Sequence, residues 1–334
     1  MFFCPRRLAS SRERHGLGRH PVSCQSWVGN AAETKSRLHF GHWRAYCASV
    51  TWNAASATRS SGQRVFRLSI NQLTTYRSTF EEDVLRCARF GVGGIGVWRE
   101  KIDDYGLEKA RELLREADVE VSNLLWAGGF TGSDGRSYRE SLWDAARAIR
   151  LAGFLECPVL VLYSGGRGGH TIRHAHRLLT GALAALIPVA EEEGVQLALE
   201  PMHPQCAKDW TILTSLDDAL RVIEELDHPQ LKLVVDTYQL AEEPDVPEQI
   251  AACGDRIGIV HLADARADIS AEQNRCPLGK GKVDFDSIFA ALTQIDYRGY
   301  LDLELFGEDV EGIEYSTLIT SAQSMVREWT NVMV

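Results

Sequence analysis

The sequence predicts an α/β protein built as a single closed (β/α)₈ barrel, and three observations indicate this fold. Eight short apolar segments are typical of strands, and each is followed by a longer segment with helical periodicity. The strand segments are almost continuously apolar, as parallel strands covered on both faces are. Eight such units within about 265 residues match the usual size of this barrel.

The strand candidates are runs of apolar and β-branched residues bounded by turn residues. In chain order they cover 66–70, 94–98, 119–124, 158–163, 195–200, 231–236, 256–261 and 300–305. An open, doubly wound sheet is the alternative, but it usually carries a glycine fingerprint after its first strand. The segment after the first strand candidate, NQLTT, contains no glycine, so we favour the closed barrel.

The helix candidates are amphipathic segments with recognisable ends. Ser78, with Glu81 three residues later, predicts a capping box at the start of the first helix. Ser215 predicts the start of another helix, and Gly194 predicts the end of the longest one. The predicted helices cover 79–90, 107–117, 138–152, 171–193, 215–226, 247–253, 285–294 and about 313–329.

The N-terminal residues differ from the rest of the chain. Residues 1–62 contain nine Lys/Arg and two Asp/Glu, a net charge of +7, and show neither the strand nor the helix period. We predict a poorly ordered N-terminal extension over residues 1–64. It is either a disordered or cleaved leader or an over-extended gene start, and we favour the second because a regular pattern begins at Val65. Residues 65–334 form the predicted barrel domain.

The amino-acid composition indicates which partners and which cellular compartment to expect. The chain carries a net charge of −10, which leaves −17 on the residues after position 62. So acidic a body repels phosphodiester backbones, and we predict no nucleic-acid partner. No apolar run approaches the roughly 18 residues that span a bilayer, so no membrane partner is expected. The eight cysteines form no CxxC pair, which favours reduced, structural thiols and a cytoplasmic protein.

The last four strand candidates carry charged or ionisable side chains at their ends. They are Glu200, Asp236, His261 and Glu304, in chain order. In a (β/α)₈ barrel, the carboxyl ends of all strands meet at one mouth, where active sites are built. Three carboxylates that meet without a balancing Arg or Lys would repel one another, so we predict a divalent cation held by all four residues. Oxygen and nitrogen ligands favour Mn²⁺, Mg²⁺ or Co²⁺ over a thiolate-bound structural zinc.

The segments that carry these four residues, LALEP, LVVDTYQ, IVHLAD and LDLELF, resemble the xylose-isomerase-like barrel superfamily. The segment RCPLGKGKVDF, residues 275–285, is similar to that family's Arg-x-x-x-Gly-x-Gly loop. The resemblance covers about residues 66–330. The superfamily includes sugar epimerases of the tagatose 3-epimerase type, hydroxypyruvate isomerase, inosose dehydratase and endonuclease IV.

The resemblance implies a metal-dependent isomerase or epimerase that acts on a small sugar, keto-acid or cyclitol through an enediolate. It gives Glu200 and Glu304 the roles of catalytic base and acid, with Asp236 and His261 as spectator ligands. Proton removal next to a carbonyl builds negative charge on oxygen, which an adjacent cation stabilises. We expect Mn²⁺ as the cofactor, with Mg²⁺, Co²⁺ and Zn²⁺ as alternatives, and a homodimer or homotetramer as the assembly.

Five further residues are candidates for substrate binding. The family's Asp-x-x-His pattern is altered here, because Gln239 stands in the histidine position. Its amide can hydrogen-bond a hydroxyl but cannot shuttle a proton. Arg275 and Arg266 compete to orient a substrate oxygen. His203 closely follows Glu200, and Trp98 ends the second strand candidate.

Three other functions stay open from the sequence. A dehydratase of the inosose type shares the same first proton removal. A nuclease of the endonuclease IV type needs extra histidines from the early strands, and the segments GIGVW and VEVSNL supply none. A barrel that binds a metal or sugar without catalysis is the third alternative.

Overall fold

The strands close into a barrel, as the apolar segments predict. The computed structural model describes residues 66–332 except 267 and 268, so the prediction for residues 1–64 lies outside the described residues. All strand pairs are parallel and follow chain order, and the last strand pairs with the first. The strands are β1 (Arg67–Asn71), β2 (Gly94–Trp98), β3 (Glu120–Gly128), β4 (Val159–Tyr163), β5 (Gln196–Leu199), β6 (Leu231–Asp236), β7 (Ile257–Leu262) and β8 (Tyr300–Leu303).

Helices connect successive strands and cover the outside of the barrel. All the predicted helices are present in the described chain, with ends shifted by a few residues. They are joined by two short helices that the sequence did not predict, α2 and α9 below, and by one-turn 3₁₀ segments at Pro204–Cys206 and Gly254–Arg256. The helices are α1 (Phe80–Phe90), α2 (Arg99–Tyr105), α3 (Leu107–Ala117), α4 (Tyr138–Phe154), α5 (Ile172–Glu193), α6 (Leu216–Leu226), α7 (Val246–Cys253), α8 (Phe285–Gln294), α9 (Glu308–Glu311) and α10 (Tyr315–Val332).

The helix caps agree with the sequence at two positions and differ at one. Ser215 caps α6 through its side chain, and Gly194 ends α5 with φ +68°. The predicted cap of α1 is wrong by one residue. Thr79, not Ser78, accepts from the backbone N–H of Glu82, and the Glu82 carboxylate accepts from the backbone N–H of Thr79. Because Glu82 follows Glu81 directly, either residue could complete a capping box.

Alternation along the strands decides which side chains enter the barrel. Leu301 and Leu303 of β8 pack outward into the core shared with the helices. Tyr300 packs with Val234 and Ile259 in a separate apolar cluster that fills the lower barrel interior. Because side chains alternate along a strand, the residues after Tyr300 that share its face are the second and fourth. Those two inward residues are carboxylates, and the site is built from them.

Two global expectations can be compared with the structure. The five cysteines in the described chain are free and buried, as predicted: Cys87, Cys157, Cys206, Cys253 and Cys276. Burial raises the pKa of the Cys206 thiol to about 11, so this thiol is protonated at neutral pH. In the described residues, no helix combines the length and the apolarity needed to cross a membrane.

Candidate metal and active site

The four predicted ligands lie at the carboxyl ends of β5 to β8. Glu200 follows β5 directly, and its backbone N–H donates to the carbonyl oxygen of Leu162 on β4. The hydrogen bonding between β4 and β5 therefore continues as far as Glu200. Asp236 pairs in register with His261 across β6 and β7. Glu304 follows β8 and donates its backbone N–H to Leu262 on β7. All four side chains are buried, so strand pairing fixes the backbone on which each one stands.

Three of these residues have the geometry of a metal site. In the part of the chain that the structure describes, Glu200, Asp236 and His261 form a cluster whose ligand atoms all lie within 4.8 Å of one another. The Nδ1 atom of His261 lies 4.0 Å from Glu200 Oε1. Two carboxylates and one imidazole suit a divalent cation. Glu304 lies beside this cluster, with Oε2 2.7 Å from His261 Nδ1.

The imidazole of His261 supports the fit to a cation. The ring is completely buried, yet among the described residues neither of its nitrogens has a well-oriented hydrogen-bond partner. Glu304 Oε2 lies 2.7 Å from Nδ1, but this contact does not meet the geometry of a hydrogen bond. Buried polar atoms in native proteins are almost always satisfied. A metal ion between these ligands would satisfy Nδ1.

The electrostatics of the cluster also call for positive charge. Burial opposes the charged imidazolium, but the carboxylates of Glu304 and Glu200 outweigh it and raise the pKa of His261 to about 10. Burial, together with repulsion from Glu304, raises the pKa of Glu200 to about 8. Without a cation, the cluster therefore takes up protons. Metal binding would release them.

The expectation that no basic side chain balances the carboxylates is wrong. The guanidinium of Arg275 lies between two of them, with Nη2 2.8 Å from Asp236 Oδ2 and 3.2 Å from Glu304 Oε1. It is completely buried and stacks over the Phe306 ring at 4.0 Å. Arg275 comes from the loop before α8, which no local pattern ties to β6 or β8. The site therefore contains one permanently charged basic group, Arg275, against three carboxyl groups.

Arg275 and His261 set the charge of Glu304. Burial by itself would raise the pKa of this carboxyl group, but the two basic side chains beside it hold the pKa below its usual range. The two glutamates are therefore shifted in opposite directions. Such a pair is typical of sites where one group is ionised and the other can hold a proton.

Gln239 and His203 are linked to each other at the rim of the site. The side-chain oxygen of Gln239 accepts from the backbone N–H of His203 at 2.9 Å, and its Nε2 donates to Gln273 at 2.7 Å. The other end of His203, Nε2, lies 3.0 Å from Glu242. Gln239 also donates its backbone N–H to Asp236. The structure thus joins both residues to the predicted metal ligand Asp236.

The remaining two candidates have other partners in the described chain. Arg266 is exposed and is held by the carboxylate of Asp309. Trp98 ends β2, where its backbone N–H donates to the side chain of Gln72. No described contact connects either residue with the four buried side chains. The structure therefore links Arg275, Gln239 and His203 to the four buried side chains, whereas the roles of Arg266 and Trp98 stay predictions.

Sequence reasoning missed two buried polar residues directly below the ligands. Asp302 precedes Glu304 by two residues on β8 and is completely buried, as is Asn71 at the end of β1. The amide of Asn71 donates to Asp302 Oδ2 at 2.7 Å. Strict alternation in the segment LDLEL could have revealed Asp302, because both acids must then face the same side.

An aromatic wall borders the site beside Glu200. Trp210 packs edge-on against Trp126 and Tyr163, with ring centroids 6.3 Å and 5.6 Å away. Tyr163 shares a small apolar cluster with Met202, two residues beyond Glu200, and with Cys206. The mouth thus combines buried carboxylates with apolar and aromatic surface, which is typical of a pocket for a small polar ligand.

The family model for the xylose isomerase-like TIM barrel matches residues 84–328, and the protein belongs to this family. Among curated relatives, an L-ribulose 3-epimerase of Methylomonas sp. (strain DH-1) is 32% identical over 161 residues, which are 48% of this chain and 52% of the relative. A second L-ribulose 3-epimerase, from Mesorhizobium japonicum, is 27% identical over 78% of this chain and 81% of its own length. The inosose isomerase of Bacillus velezensis is 23% identical over 72% and 88%.

Solved structures give the same fold. A protein of Sinorhizobium meliloti 1021 superposes with a TM-score of 0.73 at 29% identity, over 78% of this chain and 97% of that one. A D-allulose 3-epimerase of Methylomonas sp. superposes with a TM-score of 0.65 at 22% identity, over 80% and 99%. The second likeness concerns the barrel fold alone.

Proposed function

We propose that the protein is a divalent-metal-dependent epimerase or isomerase of a small sugar, working by proton transfer through an enediolate. The observation that carries this proposal is the pair Glu200 and Glu304, two carboxylates that face the same nitrogen of His261 and are shifted in opposite directions. Its relatives, named as ketose epimerases and inosose isomerase, agree with this chemistry.

We assign the metal to Glu200, Asp236 and His261, with Glu304 as the fourth ligand. When bound, a divalent ion supplies positive charge that stabilises a developing oxygen anion on the substrate. Mn²⁺ is the ion we propose, because carboxylates dominate the ligand set and no thiolate takes part. The alternatives are Mg²⁺, Co²⁺ and Zn²⁺.

We assign proton transfer and substrate binding to the side chains of the site. Glu304, held ionised by His261 and Arg275, is suited to accept a proton from the carbon beside a carbonyl, which reverses the roles that the family resemblance gives to the two glutamates. Glu200, whose Oε1 lies 4.0 Å from the same His261 nitrogen, is suited to return a proton. The Nε atom of Arg275 is buried without a hydrogen-bond partner in the described chain, so it can donate to a substrate oxygen. Gln239 and His203 contribute polar contacts at the rim.

The aromatic wall supports a sugar-sized substrate. Trp126, Trp210 and Tyr163 offer rings against which the C–H face of a sugar can pack. We further propose that the protein acts in the cytoplasm as a homodimer or homotetramer, without a nucleic-acid partner. The net charge of −10 is consistent with the last point.

The test is isotope exchange. The purified full chain, stripped with EDTA and reloaded with Mn²⁺, is incubated in D₂O with L-ribulose, D-psicose and an inosose. We expect deuterium to enter at the carbon that changes configuration, with epimer formation followed by NMR. A dehydrated product would instead identify a lyase, and no exchange with any sugar would refute the proposal.

Variants assign the roles. Glu200→Gln and Glu304→Gln should each reduce exchange by roughly 10²-fold or more, the range of general acid–base catalysis. The matched control is Asp83→Asn, which changes a buried carboxylate that contacts Lys101 and Arg86 away from the proposed ligands. This variant should keep the exchange rate of the wild type.

A further inference from the structure

A buried polar cluster fills the barrel interior directly below the proposed metal ligands. We define this lumen cluster as Ser69, Asn71, Asn123 and Asp302, all completely buried. Three donors converge on the Asp302 carboxylate: Ser69 Oγ at 2.5 Å, Asn71 Nδ2 at 2.7 Å and Asn123 Nδ2 at 2.8 Å. The lumen cluster therefore links β1 and β3 with β8.

We propose that Asp302 and Asn71 are positioning residues, which orient His261 and Glu304 for metal binding and proton transfer. The proposal rests on the proposed function and extends it to residues that touch neither substrate nor metal. The supporting observations are that Asp302 lies close to His261 and that Asn71 contacts Glu304. The Oδ2 atom of Asp302 lies 3.9 Å from His261 Nε2, and Asn71 Nδ2 lies 3.3 Å from Glu304 Oε2.

The orientation of the Asn71 amide is fixed by its neighbours. Its side-chain oxygen accepts from the backbone N–H of Leu73 at 2.9 Å. The Nδ2 group must therefore face the carboxylates of Asp302 and Glu304, which accept hydrogen bonds when ionised. One amide thus holds Asp302 of β8 and Glu304 directly after β8 at once, and it stands at the end of β1, the strand that closes the barrel.

Asp302 and the proposed ligands lie on opposite sides of the His261 ring. The carboxyl group is beyond direct hydrogen-bonding distance of Nε2, yet its Oδ2 atom lies 3.9 Å from this nitrogen and favours the tautomer that keeps the proton on Nε2. Nδ1 then presents its lone pair toward Glu200 and Glu304. A carboxylate behind a metal-binding histidine is a general device for fixing ring orientation and raising ligand basicity.

The barrel interior is shaped to hold this carboxylate. A Cβ atom at Gly96 on β2 would lie 2.4 Å from Asp302 Oδ2. Glycine therefore leaves the space that Asp302 occupies. One layer lower, the interior is filled by apolar side chains such as Val161, Val234 and Ile259. Because well-packed apolar residues usually stabilise a core at least as well as a buried charge, packing alone does not account for an acid here.

The experiment measures metal affinity, which needs no turnover. Mn²⁺ binding to the EDTA-stripped full chain is titrated by calorimetry for the wild type, Asp302→Asn and the matched control Asp83→Asn. Asp83 is also a buried aspartate that accepts several hydrogen bonds, from Gln72, Arg86 and Lys101. We expect about 10- to 100-fold weaker binding for Asp302→Asn, and less than a twofold change for Asp83→Asn.

A second variant keeps the test decisive if Asp302→Asn does not fold. Ser69→Ala removes one donor from Asp302 and leaves the other two. It should weaken Mn²⁺ binding several-fold. Unchanged affinity in every lumen-cluster variant that folds, or an equal loss in Asp83→Asn, overturns the inference. If the wild type binds no divalent ion, the proposed function itself fails, so the two failures are distinguishable.

Discussion

Replacing Arg275 by Met should destabilise the metal-free protein strongly. The guanidinium is completely buried between Asp236 and Glu304 and stacks on Phe306. Methionine keeps much of the side-chain length but leaves two buried carboxylates without their permanent partner. Breaking a buried ion pair in this way costs about 3–5 kcal/mol.

Arg266 provides the control within the same chain. Its guanidinium is also paired with a carboxylate, that of Asp309, but 59% of its side chain is exposed. An exposed pair contributes less than about 1 kcal/mol. Arg266→Met should therefore change the free energy of unfolding little, although both arginines are sequence candidates for the same role.

Urea denaturation of the EDTA-stripped proteins measures the difference through the transition midpoint, provided that the slope is unchanged. Saturating Mn²⁺ should narrow the gap between Arg275→Met and the wild type, because the ion supplies charge to the same carboxylates. A loss below about 1 kcal/mol for Arg275→Met, or an equal loss for both variants, would contradict the assignment of Arg275 as the internal counter-charge.

Three further predictions follow from the site and its surroundings. EDTA should abolish sugar exchange, and added Mn²⁺ should restore it in the wild type but not in Asp236→Asn, as followed by NMR in D₂O. The pKa values of His261 and Glu200 are raised to about 10 and about 8, so the folded metal-free chain binds more protons than the unfolded chain. The contribution of these protons to stability is present at acidic pH and is lost as the pH rises through 8 and then 10, whereas Mn²⁺ affinity rises with pH. Melting curves of the metal-free protein and calorimetry with Mn²⁺, each at pH 6 and pH 9, measure the two effects. Lys101→Met removes the buried amine that contacts Asp83 at 2.6 Å and Thr75 O at 2.9 Å; it should lower the melting temperature but leave Mn²⁺ affinity unchanged.

The sequence predicts the fold well because each strand and helix is recognised from a pattern within its own residues. Each strand is a short apolar run, so its position can be read without knowing its neighbours. Helix α2 (Arg99–Tyr105) is missed for a local reason: it follows Trp98 directly, without a side-chain cap, and buries Lys101. The capping error at Ser78 has a similar origin, since Thr79 is an equally good cap and only the backbone path separates them.

The site is predicted less completely because its contacts are distant in sequence. Strand ends reveal Glu200, Asp236 and His261 without any knowledge of side-chain contacts. The role of Arg275 depends on partners 39 and 29 residues away, and no periodicity relates a loop arginine to them. Asp302 lies within a strand that periodicity does predict. It is missed because an acid in the strand was not traced to the barrel interior.

The barrel interior is layered, and the layers separate stability from chemistry. The lowest layer is apolar, with Val159, Val161 and Val234 packed together. The lumen cluster lies above it, and the proposed ligands lie at the mouth. Strand β8 and the residue directly after it contribute to each layer in turn, through Tyr300, Asp302 and Glu304. A shift of β8 by one residue would turn all three side chains outward, so the pairing of β8 with β1 that closes the fold also fixes the proposed catalytic carboxylate.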